Sequence, residues 1–234
     1  MSTQPPILVQ LSGVSKTYGD HKVTALSSIN LSIERGEFLA IMGPSGCGKS
    51  TLLNVIGGID RPSAGQVLFE GENIFGYSDE KLTALRRRNI GFIFQFFNLL
   101  STLTVEENVA LPLELEHVDA KAVRQAVAQS LESVDMTKRA RFYPAQLSGG
   151  EMQRVAIARA LIHSPKVVIA DEPTGNLDTE NGESVLQLIA KINKEQERTI
   201  VMATHSPDAA ARASRLLQMR DGCITGEQKC CPRP

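Results

Sequence analysis

The chain lacks any stretch approaching the ~18 consecutive apolar residues of a membrane-spanning helix, so no segment reads as a bilayer span. It also lacks an excess of either charge. Against 25 Lys and Arg stand 26 Asp and Glu, a formal net charge of −1, which leaves no electrostatic footprint for nucleic acid as a partner. Residues 1–6 have neither the charged nor the apolar region of a secretory signal, and the expectation is a chain that is cytosolic by itself. The four cysteines fall in no paired spacing, as suits a reducing compartment. Cys223, Cys230 and Cys231 lie near one another, but the tail 226–234 is polar and proline-ended and reads as a frayed terminus rather than a metal clip. Its last four residues lack the aliphatic pair of a prenylation box. There is no internal repeat and no low-complexity segment. What remains is 234 residues with 42% apolar content, enough to bury a substantial core.

Gly43, Pro44, Ser45, Gly46, Cys47, Gly48, Lys49, Ser50 and Thr51 complete the pattern G-x-x-x-x-G-K-[ST] directly after the apolar run 38–42. Three glycines let the backbone turn its N–H groups toward phosphate oxygens, and a helix beginning near Lys49 adds its positive dipole end. In such a loop the lysine reaches the β- and γ-phosphates and the following hydroxyl, here Ser50, ligates Mg²⁺. The expected ligand is a nucleoside triphosphate. Cys47, inside this loop and close to Lys49, occupies a setting that lowers a thiol's pKa, so modification by a maleimide is expected to inactivate the protein.

A second motif, Leu147-Ser148-Gly149-Gly150-Glu151-Met152-Gln153, stands shortly before the apolar run 167–170 and the carboxylate pair Asp171-Glu172. Ser148 with Glu151 three residues later is also a capping box that opens a helix, and both readings can hold together. On these two motifs the chain resembles the ATP-binding subunits of ABC transporters. The resemblance implies that Asp171 holds Mg²⁺ through water, that Glu172 polarises the attacking water, and that the signature at 147–151 faces the nucleotide of a second copy. A complete site then needs a homodimer. It further implies that Gln95 senses Mg²⁺ and the attacking water, that His205 contacts the γ-phosphate, that Tyr18 stacks on adenine, and that Asn176, Leu177 and Asp178 form a loop crossing the dimer.

Periodicity places strands at 7–11, 29–33, 38–42, 65–69, 90–94, 167–171, 199–204 and 214–219, with helices clearest at 120–134 and 151–162. The unalternating apolar strands suit a parallel sheet buried on both faces. The resemblance implies one α/β domain over 1–234, a P-loop NTPase (RecA-like) fold. Its nucleotide-binding core, 1–95 and 164–234, carries an N-terminal antiparallel β region, and an inserted α-helical subdomain at 96–163 bears the signature.

The stretches 170–178 and 91–100 look like the lipoprotein-releasing, macrolide-export and cell-division group of that family. This implies a peripheral protein on the cytoplasmic face of the inner membrane, working two copies of a separate integral-membrane permease. An alternative within the group is ATP turnover that signals to a periplasmic enzyme without transport. Phe96, Phe97, Leu99 and Leu100 are more apolar than a strand end and short loop need, and are expected to form the cleft for a permease helix. Packing inside the helical subdomain stays open for them.

Overall fold

The computed structural model of the chain describes residues 6–19 and 23–230. Two sheets carry the fold. In the first, β1 (Ile7–Tyr18), β2 (Val23–Glu34), β4 (Ala64–Phe69) and β5 (Glu72–Asn73) run antiparallel in the order β2-β1-β4-β5. The second has the order β10-β9-β3-β8-β7-β6, from β3 (Phe38–Met42), β6 (Ile90–Ile93), β7 (Val167–Asp171), β8 (Thr199–Thr204), β9 (Arg215–Arg220) and β10 (Cys223–Lys229). Its strands are parallel from β9 to β6, and β10 alone is reversed.

The central strands are apolar at nearly every position because both faces are covered. Along β3 the side chains alternate: Phe38 and Ala40 join one core cluster, Leu39 and Ile41 the other. The first cluster holds α3 (Val105–Glu114), α4 (Ala120–Ser133), α5 (Gly149–Leu161) and α6 (Thr179–Gln196) against the sheet. The second packs α1 (Lys49–Ile56), α2 (Asp79–Asn89) and the antiparallel sheet on the opposite face. A last short helix, α7 (Pro207–Ala210), follows β8.

Six of these seven helices start under a side-chain cap: Ser78, Thr104, Asp119, Ser148, Asp178 and Ser206 each accept a first-turn N–H. Only α1 begins without one, at Gly48 in the left-handed region with φ 104°. Its first-turn N–H groups are left for something other than a side chain.

Several sequence-based boundaries shift. The strand expected at 90–94 ends at Ile93, and the helix expected at 151–162 starts at Gly149, since Ser148 caps it and its two glycines form the first turn. The expected 29–33 is the inner part of the longer β2, and 214–219 moves one residue on to Arg215–Arg220. The frayed tail is a correction: Cys223–Lys229 pairs with β9 through a tight turn at Asp221 and Gly222, both with positive φ. Cys231 and residues 1–5 lie outside the described residues. Among the described residues no helix is long and apolar enough to cross a membrane.

Candidate active site

The sheet gathers at one edge what the sequence keeps apart. Strand β3 runs into the loop 43–48, β8 into His205, β7 into Asp171-Glu172 and β6 into Gln95, and these four strands are neighbours. Ligands of open α/β sheets bind beyond such carboxyl ends.

The phosphate loop is pressed inward at two glycines. A Cβ on Gly48 would stand 2.4 Å from the Ala25 carbonyl oxygen, and one on Gly43 would stand 2.3 Å from that of Met219. Its outer side is Pro44, Ser45 and Gly46, all exposed. Lys49 is 8% exposed and donates from Nζ to the carbonyls of Gly43 (2.8 Å) and Pro44 (3.1 Å). The ammonium is thus folded over its own loop, where carbonyls hold it in the place a phosphate would take over. Ser50 is exposed on the first turn of α1, and Thr51 follows it half-buried.

At the end of β7 the backbone turns sharply, with Glu172 at φ 47°. A non-glycine residue in this region costs about 1–2 kcal/mol, and neighbours hold it there. The Glu172 N–H donates to the Ala203 carbonyl (3.0 Å). Its Oε2 accepts from the His205 N–H (3.2 Å) and meets His205 Nδ1 at 2.9 Å, while Oε1 stands 3.9 Å from Lys49 Nζ. Glu172, His205 and Lys49 are therefore one cluster. Beside it, Asp171 Oδ1 is buried without a hydrogen-bond partner. A buried carboxylate oxygen left bare is costly and suits a hard cation or its water shell, so this residue and the Ser50 hydroxyl fit Mg²⁺.

Gln95 and Asn176 also meet. Gln95 Nε2 donates to Asn176 Oδ1 (3.3 Å), and Asn176 Nδ2 donates to the Gln95 carbonyl (2.9 Å). Leu177 lies over Gly149, and Asp178 caps α6. Gln153, fully buried on α5, donates to the Pro173 carbonyl at 2.7 Å, tying the signature helix to the segment after Glu172.

The signature packs against its own subdomain and the start of α6. Ser148 and Glu151 form the expected capping box, and Arg139 Nε donates to Glu151 Oε1 at 2.9 Å. The Ser148 N–H, with Arg139 adding to it, holds the Glu151 carboxyl below the usual carboxylate range. Buried Leu147 precedes it, and a Cβ on Gly150 would stand 2.4 Å from Asn181 Oδ1. None of these partners belongs to the phosphate loop.

Tyr18 sits at the end of β1, its hydroxyl donating to Asp60 Oδ2 at 2.5 Å. Cys47 requires a correction: it is 4% exposed, packed in the core beneath the loop, so a maleimide has no approach to it. The docking quartet requires another. Phe96 is 73% and Leu100 50% exposed, but Leu99 packs against the core and Phe97 is half-buried, its carbonyl and that of Asn98 held by Arg159. The apolar concavity beside them, about 470 Å³, is walled instead by Phe92, Phe94, Leu111, Pro112 and Leu115 and rimmed by Arg86, Arg87 and Arg159. The strand ends before Phe94, which frees that ring to face the groove.

The sequence reading named Gln153 in the signature motif without its bond to Pro173, and passed over Asn108 and Asp60. A buried amide inside an amphipathic helix was the available signal for Asn108, and Asp60 carried none.

Residues 26–175 match the family described as ABC transporter. The uncharacterized ABC transporter ATP-binding protein MJ0796 of Methanocaldococcus jannaschii is 43% identical over 228 residues, 95% of this chain and 97% of that protein. The lipoprotein-releasing system ATP-binding protein LolD of Shewanella oneidensis is 46% identical over 220 residues, 93% of this chain and 96% of its own length. A solved dimeric structure of a post-hydrolysis state of the MJ0796 cassette, bound to ADP and Pi, aligns with a TM-score of 0.88 at 42% identity, over 96% of this chain and 99% of that one. The chain belongs to the ABC transporter family. It is the ATP-binding, ATP-hydrolysing cassette of that family, and its relatives include the lipoprotein-releasing type.

Proposed function

We propose that the chain acts as a homodimer on the cytoplasmic face of a membrane, where ATP-driven closure and hydrolysis work two copies of a separate permease of the lipoprotein-releasing or export type. Support comes from likeness to LolD and to a dimeric cassette. The observation that carries the reading is the cluster of Glu172, His205 and Lys49 at the sheet edge, while the partners of the signature helix start, Arg139, Leu177 and Asn181, lie outside the phosphate loop. A second copy brings its Ser148, Gly149 and Gly150 to the phosphate held by the first, an anion at a helix start.

Each residue then has a task. The loop's N–H groups, the uncapped first turn of α1 and the Lys49 ammonium bind the phosphates, and Lys49 leaves the Gly43 and Pro44 carbonyls to do so. Glu172, with its carboxylate already fixed by His205, takes the proton of the attacking water. His205, two-thirds exposed, keeps that carboxylate aimed and presents its other ring nitrogen to the γ-phosphate. Magnesium, held by Ser50, Asp171 and Gln95, supplies charge neutralisation when it is bound with ATP. The Gln95–Asn176 pair links the base of the docking groove to the loop that crosses the dimer. Phe96, Leu100 and the adjoining groove receive the permease helix.

Glu172→Gln tests this reading. We expect turnover to fall by about 100-fold or more, with ATP retained and the protein dimeric in size-exclusion chromatography. Lys49→Ala should lose tight ATP binding instead. A Glu172→Gln protein that stays monomeric in saturating ATP and hydrolyses at the wild-type rate would refute it.

A further inference from the structure

Tyr18 is clamped more firmly than the last side chain of a strand needs to be. Its hydroxyl donates to Asp60 Oδ2 at 2.5 Å, and Lys16 Nζ lies 4.7 Å from its ring centroid, over one face. Lys16 is itself anchored, donating to the Arg61 carbonyl at 2.8 Å and standing 3.7 Å from Asp60 Oδ1. The segment carrying these partners comes directly off α1: the Asp60 N–H donates to the Asn54 carbonyl at 3.1 Å. It is stitched back to β1, where the Thr17 N–H donates to Ser63 Oγ (3.1 Å) and the Ser63 N–H to the Ser15 carbonyl (2.8 Å). Burial and the Asp60 carboxylate push the phenol above its ordinary pKa, with the Thr51 hydroxyl on α1 working the other way. The phenol therefore stays a donor to Asp60.

These contacts have a joint geometric result. With an ammonium over one face and the hydroxyl pinned, stacking is left to the ring's other face, whose plane is fixed relative to α1, the helix that begins at the phosphate loop. We infer that Asp60 and Lys16 are positioning residues for the nucleobase: they fix the plane of the Tyr18 ring, and hence where the base can stack, at a set offset from the phosphates. This rests on Tyr18 being the base platform, as the family resemblance implies. Planar stacking gains depend on ring orientation, and a ring fixed beforehand leaves less freedom to lose on binding.

The experiment compares Asp60→Ala, Asp60→Asn and Tyr18→Phe in steady-state ATP hydrolysis by the full chain, with melting temperature recorded for each. Each should raise KM for ATP about five-fold with kcat within about two-fold, the loss of one charge-assisted hydrogen bond whose effect falls on binding. Tyr18→Phe combined with Asp60→Asn should be no worse than either alone, because the two share one bond. Inhibition by inorganic tripolyphosphate, which has no base, should be unchanged, whereas a general loosening of the fold would weaken tripolyphosphate and ATP together. Equal weakening of both ligands overturns the proposal. So does an unchanged KM in all three variants when Tyr18→Ala raises it more than ten-fold, a result that keeps the platform and removes the clamp. If Tyr18→Ala itself leaves KM unchanged, the platform reading fails and the clamp falls with it.

Discussion

Replacing Asn108 by alanine tests how the loop after Gln95 is held. The side chain is fully buried on α3 and reaches back over that loop. Its Oδ1 accepts from the Leu100 N–H at 2.8 Å, and its Nδ2 lies 3.0, 3.0 and 2.9 Å from the carbonyls of Leu100, Leu103 and Thr104. An amide has two N–H donors, so one acceptor bond and two donor bonds are lost together. At a net ~1 kcal/mol each, part of it regained where water reaches the exposed Leu100 backbone, and with a small cavity added, the cost is about 2–4 kcal/mol. For a chain of this size that lowers Tm by roughly 5–15 °C. Differential scanning calorimetry of Asn108→Ala beside Thr102→Ala, an exposed change in the same loop expected to be near neutral, reads the difference. A shift under about 2 °C for Asn108→Ala would show that the loop holds itself, and the account of the site's link to the groove would lose its anchor.

In the native protein Cys47 should resist a maleimide pulse that labels Cys223, with Cys47 reacting only after denaturation; rapid native labelling in peptide mass spectrometry would contradict its burial. His163, packed against the Ile90 carbonyl with Arg198 and Glu116 facing it, is held below the ordinary histidine pKa, first by desolvation. The unfolded chain therefore takes up its proton at higher pH, so this contribution is full above about pH 6.5 and lost as pH falls from there toward the folded value. His163→Gln should flatten part of the fall in Tm between about pH 7.5 and 5.5, and an unaltered slope would count against it. Arg139→Ala should cut ATP hydrolysis about three- to ten-fold by leaving Glu151 uncompensated at the signature, and Glu151→Gln in the same chain should restore part of it. No restoration would mean that the charge of Glu151 is not what Arg139 answers.

Local chemistry made part of this legible from residues alone. The glycines of 43–48, the Ser148–Glu151 cap and the apolar strands each act over a few residues, so spacing reveals them. The β9–β10 hairpin had its signal too, in Asp221-Gly222, a pair that accepts positive φ; the polarity of the tail outweighed it. The docking surface was harder. Seven large apolar residues at 92–100 look alike in sequence, and which of them face solvent depends on where β6 stops and on Arg159 holding the Phe97 and Asn98 carbonyls from 62 and 61 residues away. Asp60 could not be found at all, since its role exists only because β1 and the end of α1 fold side by side.

The placement of buried polar groups ties the nucleotide edge to the elements around it. Among the described residues, the buried polar side chains are Lys49, Asn108, Gln153, Thr199 and Thr204. Thr199 lies at the far edge of the sheet, where it accepts the Gly36 N–H. Lys49 and Thr204 lie at the ends of β3 and β8, Gln153 links α5 to the turn after Glu172, and Asn108 holds the loop after Gln95. Burial of such groups is tolerated when they are bonded, and the bonds of Lys49, Asn108, Gln153 and Thr204 also fix segments that bear a proposed site residue. Two atoms of this region stay unpaired, Asp171 Oδ1 and Gln153 Oε1. With the strained Glu172 backbone and the uncapped start of α1, they leave bonding capacity unmet at this edge in the free chain; the other two unpaired buried atoms, His163 Nδ1 and Arg198 Nε, lie toward the opposite end of the sheet. A triphosphate with its cation meets the α1 N–H groups and the bare Asp171 oxygen at once. Binding can therefore rigidify the same segments that the signature and the groove are tied to, which is the physical route the proposed coupling from nucleotide to permease would take.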